Sequence, residues 1–404
     1  MGAAMTALKV GGGLLAVVMT TVVYYYCHLV LAGFPEPGKV TIIVMVVKFQ
    51  RLVGRIYELL GFGSSLDYRR KSGMGHRPRI GDPSLLVTDT SFDGVKVRLY
   101  QPQGQDQGGD RAGLVFMHGG GWILLSVDIY DNVTRHIAKA TGAVVVSVDY
   151  RLAPEHTFPI PFKDCLNATK YFLHHPGEYG VDPARVGVAG DAAGGNLAAA
   201  VALKLAQESS NNVCPLKLQA LIYPALQALD FQTASYRTRE TPWLDAFTPA
   251  SHFNLYLNGN DSWAEKFVSH SHISDQVKTS RFAAYVDRHL VYPSLPQMTP
   301  RDDAVIDLPE EIKDILNPYF CPLMAGDSQL AGCPNTCILV CEFDVLRDDG
   351  IMYAKRLGKV GVGVKLEHFE KGFHGILNLT TKPMEFQVGK EVMKSLVSLL
   401  NENL

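Results

Sequence analysis

The chain has 404 residues, of which 47% are hydrophobic and 19% charged, so it can bury a large core, and its composition argues against disorder. Its formal net charge of -2 and the absence of a long basic run give no electrostatic footprint for nucleic acid. The seven cysteines are scattered without convincing metal-site spacing, and we expect the protein to need neither a metal nor a cofactor.

An apolar run without charged residues lies at the N-terminus. It extends from Val10 to Ala32, about 23 residues, which is long enough to cross a bilayer core of roughly 30 Å. A cleaved signal peptide is the alternative, but its apolar region should span only about 7–15 residues. The length therefore favours an uncleaved signal anchor, a single transmembrane helix within residues 1–38 that attaches the protein to a membrane.

Four glycosylation sequons follow this predicted anchor, at Asn132, Asn167, Asn260 and Asn378. Glycosylation takes place on surface loops of secretory-pathway proteins. Together the sequons favour a type II topology in which the part of the chain after the anchor is lumenal.

Residues 39–83 form a second predicted segment. From Val40 to Phe62, charged residues fall among apolar ones with the spacing of a helix that has one apolar face. Such a helix can pack on the main domain, or it can act as a lid or membrane contact that feeds an apolar ligand inward, and the spacing does not separate these alternatives. Residues 61–82, which include Arg69, are predicted to be a polar linker.

A single α/β domain is predicted over residues 84–404. It begins with an antiparallel strand pair whose turn is Asp93-Gly94, and six further strands, mostly buried apolar runs, follow. Helical patterns between these runs imply right-handed crossovers and a mainly parallel sheet flanked by helices. The predicted strands are 85–90, 95–100, 114–117, 143–148, 186–189, 218–223, 336–341 and 364–369. Residues 230–332 interrupt the alternation with an aromatic-rich insertion, which we expect to form a helical cap.

A glycine-flanked turn follows the strand predicted at 186–189. Gly190 and Gly194 bracket Ala192 in the G-x-A-x-G spacing of a nucleophile elbow, where small neighbours let one strained residue stand above the sheet edge. Alanine has no hydroxyl that could attack a carbonyl carbon. The sequence therefore has the surroundings of a serine nucleophile without the nucleophile.

Three consecutive glycines follow the strand predicted at 114–117. In the segment His118-Gly119-Gly120-Gly121 the backbone N–H groups can approach a ligand without side-chain obstruction, as in an oxyanion hole. A flexible turn would have the same composition. The elbow, whose Ala193 N–H provides another donor, favours the oxyanion-hole interpretation.

An acid and a histidine complete the predicted site. Asp344 and His374 each lie just past a predicted strand, so both belong at the carboxyl edge of the sheet, where the elbow also lies. The order elbow, acid, histidine is that of α/β-hydrolases. His374 is the candidate general base, and Asp344 would hold its tautomer and stabilise its cation. The rival acids are Glu342, Asp348 and Asp349.

Taken in order, these motifs resemble those of the hormone-sensitive-lipase-like α/β-hydrolases, and more closely the arylacetamide deacetylase and neutral cholesterol ester hydrolase branch. The resemblance covers nearly the whole chain and implies an α/β-hydrolase fold and ester hydrolysis at the endoplasmic reticulum membrane, with the site facing the lumen. The family motif also begins at Asp344, which favours that acid over its rivals. The matching segments are 118–122, 149–156, 190–195, 221–225, 344–350 and 371–375.

One departure from the family concerns activity, because the family has serine where this chain has Ala192. Either a serine was replaced to give an inert protein, or the natural protein has lost catalysis and binds lipid or acts as a receptor. The retention of the glycine loop, acid and histidine favours the first explanation. Asp191 as a substitute nucleophile is disfavoured, because adjacent residues at a sharp elbow point in different directions.

Substrate preference is predicted from apolar surface near the site. The anchor, the helix at 40–62 and the aromatic insertion with Trp243 and Trp263 would favour a lipid ester, such as a cholesteryl ester or an acetylated ether lipid. The resemblance also permits arylacetamides and xenobiotic esters as substrates.

Overall fold

The computed structural model describes residues 34–73, 81–104, 110–208, 214–239, 241, 243–301 and 303–404. Within these ranges no helix combines the length and the apolar character needed to cross a membrane. The predicted anchor, Val10 to Ala32, lies outside the described residues.

An eight-stranded sheet forms the centre of the domain, with the strand order β1-β2-β4-β3-β5-β6-β7-β8. Strand β2 runs antiparallel to β1 and β4, and all other neighbouring strands are parallel. The mainly parallel sheet predicted from the sequence is therefore confirmed. The strands are β1 Leu85–Phe92, β2 Val95–Pro102, β3 Arg111–Met117, β4 Val144–Val148, β5 Val181–Asp191, β6 Leu218–Ile222, β7 Asn335–Phe343 and β8 Val364–Phe373.

Each predicted strand corresponds to one of these eight, and several extend further than predicted. The first turn has the predicted composition, because Asp93 (φ 48°) and Gly94 (φ 80°) both adopt positive φ, as a tight hairpin turn between twisted strands requires. Longer strands such as β5 include polar residues at their ends that an apolar pattern does not detect.

Helices cover both faces of the sheet. Alternate residues of β3 point to opposite sides: Val115 packs with the face covered by α4 and α5, and Phe116 with the face covered by α3 and α13. The helices are α1 Pro37–Leu59, α2 Ser65–Gly73, α3 Asp131–Thr141, α4 Ile160–His174, α5 Ala193–Gln207, α6 Ala234–Thr238, α7 Phe247–Asn258, α8 Ala264–Val268, α9 Asp275–Lys278, α10 Arg281–Ala284, α11 Asp327–Leu330, α12 Arg347–Lys359 and α13 Gln387–Asn403.

The segment predicted as a polar linker contains a helix, α2, so that prediction is wrong. A reciprocal pair of hydrogen bonds begins this helix: Ser64 N–H donates to Asp67 Oδ2 at 3.1 Å, and Asp67 N–H donates to Ser64 Oγ at 3.0 Å. Helix α2 packs closely on α1, since a Cβ built on Gly54 would lie 2.7 Å from Ser65 Oγ. The capping pair and this contact stabilise a helix whose composition is polar.

The insertion predicted at 230–332 runs between β6 and β7 and contains the short helices α6 to α11. Its first part, around Trp243 and α7, lies over the carboxyl edge of the sheet, where it lines the same cavity as Ala192 and His374. This arrangement encloses the edge at which parallel strands place their functional loops.

Candidate active site

The turn between β5 and α5 has the strained backbone of a nucleophile elbow. Ala192 adopts φ 51° and ψ -117°, a region that costs an L-residue about 1–3 kcal/mol. Three hydrogen bonds hold it: its N–H donates to Ile222 O at 2.9 Å, and its carbonyl accepts from Asn196 N–H at 3.1 Å and Ala225 N–H at 3.2 Å. The elbow conformation is therefore maintained by the surrounding backbone and does not depend on a serine side chain.

The two glycines of the elbow are required by close approach of backbone. A Cβ on Gly190 would lie 2.3 Å from Gly194 O, and a Cβ on Gly194 would lie 2.0 Å from Met117 O. Neither contact is sterically allowed. The G-x-A-x-G spacing thus brings the start of α5 against the end of β3.

His374 and Asp344 are in direct contact at the carboxyl edge. His374 Nδ1 lies 2.9 Å from Asp344 Oδ2, and the other carboxylate oxygen of Asp344 accepts a hydrogen bond from Leu346 N–H at 2.8 Å. Burial would lower the pKa of His374, but the charge and hydrogen bond of Asp344, together with the charge of Asp191, raise it above its ordinary value. This is the geometry of an oriented general base.

The rival acids bind other partners. Glu342 pairs with Arg347 at 2.8 Å and with His368 at 2.9 Å. Asp348 accepts from Ser235 N–H and also pairs with Arg347, and Asp349 accepts from the Leu226 and Gln227 nitrogens. Of these four acids, Asp344 alone contacts His374.

The glycine loop after β3 provides donors, but not from every predicted residue. The Gly119 N–H donates to Asp191 Oδ1 at 2.9 Å, so the prediction that Gly119 provides an oxyanion donor is corrected. The amides of Gly120, Gly121 and Ala193 donate to no described residue, and all three residues line the cavity beside Ala192. These three amides form the candidate oxyanion hole.

His118 supports the conformation of this glycine loop. Its ring is fully buried and its Nδ1 lies 2.7 Å from Gly119 O, while its own carbonyl accepts from Tyr150 Oη at 2.7 Å. Burial lowers the pKa of His118 to about 4, so the ring is neutral near pH 7. His118 therefore acts by positioning the glycine loop.

Asp191 has a role that the sequence motifs do not indicate. Its carboxylate is buried beneath the glycine loop, where it accepts from Gly119 N–H and from Tyr130 Oη at 2.8 Å. Burial raises the pKa of Asp191 to about 6, against the opposing effect of these hydrogen bonds. The carboxylate holds the loop in place, and its hydrogen bonds to Gly119 and Tyr130 turn it away from the role of a nucleophile.

A cavity of about 380 Å³ connects these groups. Its floor is the elbow, the oxyanion loop and His374, and its remaining wall is mostly apolar. The apolar lining includes Val47, Leu124, Leu125, Ile129, Trp243, Leu244 and Phe253. A cavity of this size and character suits the acyl or alcohol part of an apolar ester.

Comparison with known proteins agrees with the fold and with the arrangement of the site. Residues 114–287 and 300–378 match the family model described as alpha/beta hydrolase fold. The chain belongs to this α/β-hydrolase family. The family resemblance inferred from the sequence motifs is therefore confirmed.

Two curated relatives of this α/β-hydrolase cover most of its length. Neutral cholesterol ester hydrolase 1 of Mus musculus is 41% identical over 345 residues, which cover 82% of this chain and 84% of the relative. Arylacetamide deacetylase of Bos taurus is 37% identical over 384 residues, which cover 91% and 93%.

Solved structures of esterases share the fold. A bacterial heroin esterase is 26% identical with a TM-score of 0.60, covering 84% of this chain and 89% of that one. A hyperthermophilic esterase from Pyrobaculum calidifontis is 25% identical with a TM-score of 0.59, covering 89% and 97%. The relatives and structural neighbours support ester hydrolysis as the chemistry of the family.

The sequons of this α/β-hydrolase are not equally placed. Asn132, Asn167 and Asn260 are exposed. Asn378 lines the catalytic cavity, where an attached glycan would fill the space available to a ligand. Glycosylation therefore stays a prediction for the first three, and the geometry disfavours Asn378.

The sequence motifs of the α/β-hydrolase do not identify three further residues that line the cavity. Arg51 of α1, Arg69 of α2 and His252 of α7 all line the wall. A Cβ on Gly121 would lie 2.1 Å from His252 Nδ1, so this histidine packs directly on the oxyanion loop. The spacing of charges within the predicted helix and linker does not indicate which side chains point inward.

Proposed function

We propose that this site is that of a serine-type carboxylic ester hydrolase for membrane-dissolved lipid esters, and that Ala192 leaves the chain able to bind an ester but not to attack it. The observation that carries the proposal is the contact of His374 with Asp344 at 2.9 Å beside an elbow held at φ 51°. Every part of the reaction is supplied by this arrangement except the hydroxyl.

With serine at position 192, the reaction follows from the geometry. The hydroxyl oxygen attacks the ester carbonyl carbon while His374 Nε2 takes its proton, and the amides of Gly120, Gly121 and Ala193 stabilise the oxyanion. The imidazolium then protonates the leaving alkoxide as the ester C–O bond breaks. Water then attacks the acyl carbon while His374 takes its proton, and the imidazolium returns that proton to the serine oxygen as the acyl C–O bond breaks and the acid is released.

A lipid ester fits the cavity wall better than a small polar ester. Burial of apolar surface is worth about 25 cal/mol per Å², so a long acyl or sterol group gains several kcal/mol that an acetate does not. The cholesterol ester hydrolase named among the relatives supports this preference. The arylacetamide deacetylase supports the alternative, an arylacetamide or xenobiotic ester.

Helix α1 supports access from a membrane. One side of the helix covers the cavity through Val47, and the other exposes apolar side chains at helical spacing. These side chains are Ile42, Met45, Val46, Phe49, Leu52, Ile56 and Leu59, named here the α1 stripe.

The membrane in this proposal is that of the endoplasmic reticulum, with residues 10–32 as a signal anchor and the catalytic domain in the lumen. The exposed sequons Asn132, Asn167 and Asn260 support this topology. In mammalian cells the protein should resist carbonate extraction, and its mobility should shift on endoglycosidase treatment. An unshifted or carbonate-extracted protein contradicts the topology.

The substitution Ala192→Ser tests the catalytic proposal. It should create hydrolysis of short-chain aryl esters and labelling by a fluorophosphonate, whereas the chain with Ala192 should show at most residual rates, about 10³–10⁴-fold over water. Ala192→Ser combined with His374→Ala is the matched control and should remain inactive. If Ala192→Ser gives neither turnover nor labelling, the site belongs to a lipid-binding or receptor-like protein.

A further inference from the structure

Two guanidinium groups lie on the wall of the catalytic cavity. Arg51 reaches it from α1 and Arg69 from α2. Arg51 Nη2 donates to the Trp243 carbonyl oxygen at 3.0 Å, which fixes its direction. Arg69 forms no hydrogen bond or ion pair with any residue in the described part of the chain.

The neighbouring Arg70, on the same helix, has hydrogen-bond and ion-pair partners within the protein, as a structural arginine does. It pairs with Glu155 at 2.6 Å and donates to the carbonyl oxygens of Ile123 and Ala153. Arg69 has no such partner among the residues that the structure describes, although it is only partly exposed. A charged side chain that is partly removed from water and has no partner costs free energy. Such a charge is therefore normally paired within the protein unless it binds a ligand.

Two acidic residues, Asp191 in the cavity lining and Asp245 near His252, bind other partners. Asp191 lies under the oxyanion loop and accepts from Gly119 and Tyr130. Asp245 is exposed and accepts from the backbone N–H and hydroxyl of Thr248 at the start of α7. Neither carboxylate pairs with Arg51 or Arg69, and no other carboxylate of the described residues forms an ion pair with either arginine, so this side of the cavity wall has uncompensated positive charge.

The titration behaviour of the same groups agrees with this excess. Burial, followed by the charge of Arg51, lowers the pKa of Arg69. Burial, followed by the charges of Arg69 and Arg51, lowers the pKa of His252 to about 3, so this histidine is neutral near pH 7 and adds no third cation. A bound anion would relieve the repulsion between the two arginines.

We propose that Arg51 and Arg69, on the wall of the cavity that contains Ala192, form a subsite for a phosphate or carboxylate group of the ester ligand. Guanidinium groups present paired N–H donors that match these anions and need no change of protonation. The inference rests on the proposed ester site and narrows its substrate class to amphiphilic esters with an apolar chain and an anionic group. The headgroup of an anionic membrane lipid is the other source of the same chemistry.

Binding to the chain as it stands tests this subsite, because Ala192 prevents turnover from consuming the ligand. The matched ligands are a short-chain alkylacetylglycerol and the same compound with a phosphate on its free hydroxyl, titrated calorimetrically in the absence of vesicles. The phosphate should bind about tenfold more tightly at low salt, and Arg69→Gln should remove this preference while leaving the affinity for the neutral compound unchanged. Arg51→Gln should also remove the preference, together with an equal loss of affinity for both compounds, because it removes the hydrogen bond to the Trp243 carbonyl oxygen.

Arg55→Gln is the matched control, because Arg55 is on the same helix but exposed and outside the cavity wall. It should leave both affinities unchanged. Equal affinities for the two compounds, or equal losses in Arg69→Gln, overturn the subsite while leaving the ester site intact. Failure of both compounds to bind contradicts the proposed function itself.

Binding to lipid vesicles distinguishes an anionic group on the ester ligand from the headgroup of an anionic membrane lipid. Phosphatidylcholine vesicles with and without phosphatidylserine are titrated with the same chain and with Arg69→Gln. If Arg69→Gln weakens binding to the phosphatidylserine vesicles and not to the soluble phosphate, the arginines contact membrane headgroups and the substrate subsite is wrong. If Arg69→Gln weakens binding of the soluble phosphate and not binding to the phosphatidylserine vesicles, the substrate subsite is supported.

Discussion

His374 Nδ1 lies 2.9 Å from Asp344 Oδ2, and the Asp344 carboxylate is completely buried. The elbow residue that lines the same cavity, Ala192, has no hydroxyl. Burial alone would disfavour the cation of His374, and the buried carboxylate reverses that effect. The contact expected between a general base and its orienting acid is therefore present in a chain that has alanine at the elbow.

The first prediction tests this pair without requiring turnover. Asp344→Asn removes the negative charge that raises the pKa of His374, so this pKa should fall below 6.5 as burial becomes the dominant effect. NMR titration of the histidine ring signals measures it directly. Glu342→Gln is the control, since Glu342 contacts His368 at 2.9 Å, and it should leave His374 nearly unchanged. A larger shift from the control would mean that Glu342 is the orienting acid.

The second prediction concerns the pH dependence that Asp191 gives to stability. Burial raises the pKa of Asp191 from 3.8 to about 6 in the folded chain, so the folded state holds this proton more tightly than the unfolded state. Its contribution to the free energy of unfolding is therefore greatest below about pH 4 and decreases as the pH rises to about 6, by at most about 3 kcal/mol.

Asp191→Asn should remove this decrease. Urea unfolding at several pH values between 4 and 7 measures the difference between the two proteins. Asp303→Asn, at an exposed carboxylate paired with Arg301, provides the control and should follow the parent chain. A constant difference between parent and Asp191→Asn across this range would show that the carboxylate does not take up a proton.

The third prediction compares two glycines. Gly194→Ala places a Cβ 2.0 Å from Met117 O and forces the elbow away from β3, so it should lower the free energy of unfolding by about 1–3 kcal/mol or more. Gly358→Ala, in α12, meets no atom within 4 Å and should stabilise the helix by about 0.5–1 kcal/mol. Thermal or urea denaturation measures both. Equal effects would mean that the elbow can relax and that the close approach is not required.

The sequence predicts this fold well where local pattern determines position. Buried strands are continuous apolar runs, and residues such as Asp344 and His374 follow strands whose carboxyl ends meet at one edge. The sequence motifs do not identify Asp191 as the residue that holds the glycine loop, because its hydrogen bond to Gly119 joins residues 72 positions apart. The polar sequence around Arg69 predicts a linker, because a helix that is stabilised by a capping pair and by contact with α1 needs no apolar periodicity.

The last prediction tests the α1 stripe on the Ala192→Ser background. Because Val47 and Arg51 of the same helix line the cavity, deletion of α1 would remove part of the cavity wall as well as the stripe, and surface substitutions are needed instead. Phe49, Leu52 and Ile56 are 64%, 57% and 45% exposed, and each would transfer apolar area into a membrane surface. Replacing all three with serine should lower kcat/KM for a vesicle-dissolved lipid ester about tenfold or more, since several kcal/mol of interfacial contact are lost.

The same triple variant should hydrolyse a soluble aryl ester at the parent rate, because none of these side chains lines the cavity. Val305→Ser with Ile306→Ser removes two exposed apolar side chains elsewhere on the surface and should change neither rate. If the triple variant keeps full activity on the vesicle-dissolved ester, substrate does not reach the cavity along α1. A parallel loss on the soluble ester would instead mean that the stripe stabilises the cavity wall, and the preference for membrane-dissolved substrates would lose its structural support.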